Sequence, residues 1–298
     1  MEPFILTLTF LLIGMGLRRL PQFPKETAQV LNLFVIHVSL PALILLKVPQ
    51  MTFSRDILTP VVMPWAMLGL SAGIILLMAR TLHWRQEIVG ALLLLVPLGN
   101  TSFLGIPMVR AFFDGAGIPY AVLYDQLGSF LALATYGTVI LALYGSGARP
   151  TPKMIVKKVI TFPPFLALVV ALAGRGVVLP APAITLLDSL AATLVPVVMI
   201  AVGYQLTLRL RPEVLSPLLV GISIKLVVAP LLALLFCHLL GLNGLAVRVA
   251  IFEAGMPPMV SAGALAIMAG LSPELTAAMV GIGILLSFVT LPLLMQLL

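Results

Sequence analysis

Three ionisable side chains, Asp125, Lys225 and Glu253, stand inside stretches otherwise made of apolar residues. A charge near the middle of a bilayer costs about 2.5–3.5 kcal/mol on insertion scales, so each marks a functional site by default. A buried Asp125–Lys225 ion pair would serve helix packing, ion movement, or both. That pairing would leave Glu253 without a cationic partner from the set, and a carboxylate so placed must take up a proton or bind a cation. The chemistry expected is therefore ion coupling, through a proton or a sodium ion at Glu253. His37 and Asn32 lie in an apolar run nearer the N-terminus, where His37 reads as a packing histidine. Tyr204 and Gln205 read as an interfacial anchor. Arg110 and Arg248 read as snorkelling residues, although they would also attract anions.

Two irregular segments must hold this chemistry. One is Gly99-Asn-Thr-Ser-Phe-Leu-Gly-Ile-Pro107 and the other Glu253-Ala-Gly-Met-Pro-Pro258. Proline removes a backbone donor and clashes one turn back, while glycine lowers the cost of unwinding. Unwound backbone at membrane depth is tolerated only against protein or a water-filled cavity. Each break exposes a positive helix N-terminus and a negative C-terminus, so two crossed breaks form an anion site beside a cation site. Asn100 donates two hydrogen bonds without bringing a second buried charge, which suits a carboxylate. The expected substrate-binding residues are Asn100, Thr101, Gly105, Pro107, Gln126, Pro257 and Pro258, with Glu253, Asp125 and Lys225 for ion coupling.

Composition says what surrounds these segments. Hydrophobic residues make up 61% of the 298 and charged residues only 9%, against about 25% charge in a soluble domain. The apolar surplus must face lipid. The first apolar run reads as a retained helix, because Met1-Glu2-Pro3 is acidic and no small-residue cleavage site follows. The single cysteine, Cys237, excludes an intramolecular disulfide and a cysteine metal site. The net charge of +7 sits in loops and reads as membrane-flanking anchors, not as a nucleic-acid surface.

A bilayer core needs about 20 apolar helical residues. On that measure ten spans are predicted, near 3–17, 27–46, 57–79, 87–113, 117–144, 155–174, 183–206, 214–239, 244–270 and 273–297. Ser272, Pro273 and Glu274 form a start signal for the last of these. Loops are short, so one membrane domain covers 1–298, with repeats near 1–146 and 150–298. Lys and Arg set the orientation. Arg18, Arg19, Lys25, Arg80, Arg85, Arg149, Lys153, Lys157, Lys158, Arg209 and Arg211 fall on one side. Lys47, Arg55, Arg110, Arg175 and Arg248 fall on the other. The richer side is cytoplasmic, which places both termini outside. Five spans per half force the halves into opposite topology. Val38-Ser-Leu-Pro41 precedes Thr193-Leu-Val-Pro196 by 155 residues, and the same offset carries Asn100 to Gly255 and Pro119 to the neighbour of Pro273. Paired interruptions in inverted halves are the sequence mark of a secondary transporter.

Leu98-Gly-Asn-Thr-Ser-Phe-Leu-Gly-Ile-Pro107 and Tyr120-Ala-Val-Leu-Tyr-Asp-Gln-Leu-Gly-Ser-Phe130 strongly resemble the auxin efflux carrier family. Ile13-Gly-Met-Gly-Leu-Arg-Arg19, Ser39-Leu-Pro41, Met256-Pro-Pro-Met259, Gly281, Ser287 and Pro292 extend the resemblance over the whole chain. It implies a ten-helix, NhaA-like fold of the bile acid/auxin/arsenite transporter superfamily, with scaffold and transport domains that move past each other. Plant members export auxin, and bacterial members are linked to dicarboxylates such as malate or malonate. Only Gly145–Pro152 stands where the major plant carriers have a long hydrophilic loop, so the chain looks like the bacterial branch. In related sodium-coupled carriers an acidic residue placed like Glu253 helps bind sodium. In the sodium/proton antiporter a lysine–aspartate pair is placed like Lys225 and Asp125. Relatives suggest a homodimer.

The expected function is therefore secondary transport of a small organic anion across the cytoplasmic membrane, with the proton favoured as coupling ion because relatives move weak acids. A cation/proton antiporter using Asp125 and Glu253 is the alternative, and a channel is the third reading, since broken helices also line pores. No His-Glu-x-x-His, Gly-x-Gly-Asp, Gly-x-Ser-Gly or ATP-binding motif is present, so neither an enzyme nor a cofactor is expected.

Overall fold

The computed structural model describes residues 2–51, 57–145, 151–177, 179–206 and 214–298. Arg55, Arg149, Arg209, Arg211 and positions 146–150 of the central loop lie outside the described residues. Helix dominates throughout. In chain order the elements are α1 (Glu2–Leu17), α2 (Thr27–Gln50) and α3 (Leu58–Leu82). Next come α4 (Gln86–Leu95), α5 (Thr101–Tyr144), α6 (Pro152–Ile160) and α7 (Pro163–Ala173). The rest are α8 (Ala181–Gln205), α9 (Leu215–Leu239), α10 (Leu245–Ala254), α11 (Val260–Met268) and α12 (Pro273–Met295).

Six of these stretches, α2, α3, α5, α8, α9 and α12, are long and apolar enough to cross a membrane. A seventh is added if α6 and α7 count as one span bent by 61°. At 44 residues α5 is twice the length one crossing needs. It changes direction at Asp114, whose φ of 55° and ψ of −160° are not helical. The protein is thus an all-helical, multi-pass membrane protein. The bend between α6 and α7 departs from the straight span expected near 155–174. Pro163 and Pro164 open α7, and the residue before a proline is driven out of the helical region. Phe162 accordingly sits at φ −77°, ψ 116°.

Prolines also shape the long helices. Wider, π-helical turns cover Val35–Ser39, Thr101–Gly105 and Ile224–Val228. Each ends two residues before a proline: Pro41, Pro107 or Pro230. The carbonyl four residues before each proline has lost its helical donor, and a wider turn lets a later amide reach it. Lys225 and Thr101 both lie on such turns.

The chain folds into two compact units, each drawn from both halves of the sequence: 1–54, 102–122 and 157–206 in the first, and 55–101, 123–156 and 207–298 in the second. In the first unit α1 crosses α8 at two glycines. A Cβ on Gly14 would stand 2.1 Å from the Ile200 carbonyl oxygen, and one on Gly203 would stand 2.0 Å from that of Leu11. Small residues let membrane helices approach backbone to backbone. Tyr204 ties the end of α8 to the chain before α2 by donating to the carbonyls of Phe23 and Pro24 at 3.1 and 3.0 Å. The core of the second unit is built on α4, with Leu92, Leu94 and Leu95 fully enclosed among residues of α3, α5, α9, α11 and α12. The candidate site hangs from this core.

Candidate functional site

Two helices of the second unit stop where the sequence weakens them. α4 ends at Leu95 and helix resumes at Thr101, while α10 ends at Ala254 and α11 starts at Val260. The freed backbone groups satisfy one another. The amide of Asn100 donates to the Pro257 carbonyl at 2.7 Å, and that of Met259 to the Leu98 carbonyl at 3.0 Å. Gly99 and Pro258 thereby form an antiparallel bridge. Gly283 of α12 gives this bridge its seat, since a Cβ there would lie 2.7 Å from Pro258 Cδ.

The polar side chains gather beside the bridge. The Asp125 carboxylate accepts from Thr101 Oγ1 at 2.5 Å and from Gln126 Nε2 at 2.6 Å. Asp125 and Gln126 lie on a wide turn, Tyr124–Phe130, that α3 holds in place. Trp65 Nε1 donates to the Leu127 carbonyl at 3.0 Å, and Pro64 fills the space a side chain at Gly128 would need. Lys225 Nζ donates to the Ala254 carbonyl at 3.4 Å, and lies 3.2 Å from where a Cβ on Gly99 would stand. Glu253, on the last turn of α10, interacts electrostatically with both Asp125 and Lys225.

Asn100, Asp125, Gln126 and Lys225 are buried, and Glu253 and Thr101 completely so. Asn100 Nδ2, Gln126 Oε1 and both carboxylate oxygens of Glu253 nevertheless have no hydrogen-bond partner. The Gln126 orientation follows from chemistry: its amide nitrogen must face the Asp125 carboxylate, which leaves its oxygen as an acceptor without a donor. Unsatisfied buried groups cost about 1–3 kcal/mol each, and where several converge a ligand or ion is the natural complement. Lys225, Glu253, Tyr124, Ser129, Gly99 and Pro64 are among the residues around a space of about 10 Å³, close to the lower limit for one water molecule.

The expected residues therefore divide. Asn100, Thr101, Asp125, Gln126, Lys225, Glu253, Pro257 and Pro258 belong to the second unit and build this site. Gly105 and Pro107 belong to the first unit. Glu253 shares a cluster with the other two ionisable groups instead of standing apart from it. His37 is exposed on α2, its Nδ1 paired with the Leu33 carbonyl of its own helix at 2.9 Å, so it is not the packing residue expected. Tyr124, Ser129 and Pro64 were not anticipated. Ser129, four residues after Asp125 on a helical turn, was the one with a readable signal. Among the described residues no cluster of three or more His, Cys, Asp or Glu side chains forms a metal site.

A family model described as membrane transport protein matches residues 1–295. An uncharacterized transporter of Methanothermobacter thermautotrophicus is 31% identical over 98% of this chain and 96% of its own. An uncharacterized transporter of Methanocaldococcus jannaschii is 28% identical over 86% and 85%. With both halves of the chain and both interruptions inside the matched region, the protein is a transporter and not an enzyme, a member of the membrane transport protein family of auxin efflux carriers.

Proposed function

We propose that the protein is a secondary carrier that moves a small organic anion, such as a carboxylate, dicarboxylate or auxin-like weak acid, by alternating access across the cytoplasmic membrane. The observation that carries this reading is the bridge between two interrupted helices, flanked by an amide donor and a carboxylate that both lack hydrogen-bond partners. Asn100 Nδ2 and the backbone beside Pro257 and Pro258 take the substrate carboxylate, with Thr101 and Gln126 at its side. Glu253 takes the coupling ion, proton or sodium, and Asp125 and Lys225 set its surroundings. The fold is read as ten spans in two inverted five-helix repeats, NhaA-like, with both termini outside.

A thermal-shift screen of organic acids on purified protein, with and without sodium, tests the reading, because a ligand of the folded state raises its melting temperature. Asn100→Ala should weaken binding of the active acid by about 1–3 kcal/mol. Unchanged affinity would move the anion site elsewhere. Saturation and counterflow in proteoliposomes separate a carrier from a channel. The small space beside Glu253 keeps a second reading open, a cation/proton antiporter. Proton-driven cation flux with no response to any organic acid would select it.

A further inference from the structure

The ammonium of Lys225 stands where a bound cation would stand. A helix C-terminus carries roughly half a negative charge. Two such ends lead into the bridged segments of the second unit, α4 ending at Leu95 ahead of Gly99 and α10 at Ala254 ahead of Pro258. Glu253 adds a carboxylate on the last turn of α10, completely enclosed and without a hydrogen-bond donor to either oxygen. Buried negative charge of this density requires a cation a few ångströms away. Lys225 supplies one. Its Nζ donates to the Ala254 carbonyl, lies 3.2 Å from where a Cβ on Gly99 would stand and interacts electrostatically with Glu253. The wide turn Ile224–Val228 ahead of Pro230 carries it there. Tyr124 and Ser129 are the other polar side chains facing the same small space. With the ammonium in place, that space admits about one water molecule and no set of oxygen ligands for a metal ion.

We propose that Lys225 is the built-in counter-ion of a monovalent-cation site formed by the Glu253 carboxylate and the carbonyl ends of α4 and α10. The wild-type protein then binds no sodium at this place, which leaves the proton as the ion that couples transport. Its meaning for transport rests on the carrier reading above, while the site itself exists or fails without any substrate. Removing the Lys225 side chain leaves the carboxylate and carbonyls in place and opens room for sodium or a small alkylammonium ion.

Melting of purified full-length protein in sodium, methylammonium and choline chlorides of equal ionic strength tests this. Wild-type protein should melt alike in sodium and choline. Lys225→Ala should melt lower, and sodium or methylammonium should raise it saturably by about 5 °C. Lys225→Met fills the space without a charge and should respond to neither. If Lys225→Ala does not fold, the double variant Lys225→Ala/Glu253→Gln, which removes both charges, should restore the yield. A saturable sodium response of the wild type that disappears in Glu253→Gln would overturn the proposal. So would a folded Lys225→Ala protein indifferent to both cations, or a double variant no better than a misfolded single one. No arm contains an organic acid, so failure of the carrier reading leaves the outcome unaffected.

Discussion

Glu253 is the residue on which the coupling argument turns. Glu253→Gln keeps the size of the side chain and gives it a neutral amide, so the exchangeable charge is gone while the packing stays. Ion-driven accumulation of substrate in proteoliposomes should be lost, with some exchange down the substrate's own gradient retained. Normal accumulation with unchanged ion dependence would pass the role to Asp125, the other carboxylate of the cluster. At this scale the sequence was informative because charge inside apolar runs is rare: Asp125, Lys225 and Glu253 were visible as soon as the spans were drawn. Their mutual arrangement was not. Lys225 and Glu253 are 28 positions apart on different helices, and only the three-dimensional crossing decides which carboxylate an ammonium faces. Nor could the sequence indicate that Thr101 and Gln126 would spend their donors on Asp125, or that Asn100 Nδ2 and the Gln126 oxygen would have no hydrogen-bond partner.

The elements were legible wherever glycine and proline punctuate them. The breaks at 96–100 and 255–259 fall inside or beside the two segments singled out by composition. The turn between α6 and α7 was missed, since a run of apolar residues on both sides of Phe162 conceals a change of direction that depends on one ψ angle. Close helix crossings were also invisible, because a glycine in an apolar helix looks the same whether it meets lipid or backbone. Gly14 and Gly16 separate the two cases on a single helix. Gly14→Ala drives a Cβ into the Ile200 carbonyl and should destabilise the first unit by about 1–3 kcal/mol. Gly16 has no neighbour within 4 Å of its would-be Cβ, so Gly16→Ala should be neutral or up to about 1 kcal/mol stabilising. Comparable thermal stabilities of the two variants would remove the crossing from the account of α1.

For the whole molecule, the structure divides the chain between two units, each drawn from segments far apart in sequence. Contact between distant segments, not order along the chain, makes a unit compact, so a linear reading does not see the units. The topology is open to direct measurement. Lys157 lies on the exposed face of α6, on the side read as cytoplasmic, and the native Cys237 is buried. Lys157→Cys should resist a membrane-impermeant maleimide added to intact cells and react once the membrane is opened. Strong labelling in intact cells would invert the assignment of inside and outside.

The bridge between Gly99 and Pro258 uses main-chain atoms alone. Beyond the room that Gly283 leaves for Pro258, no side chain takes part in it, provided the two chains continue to unwind there. A gene of this design is therefore free to exchange the residues around the bridge one by one, acquiring new cargo without first losing the joint that holds the site in register. Diversification within such a lineage should leave the two backbone contacts in place and be recorded in the side chains on either side of them.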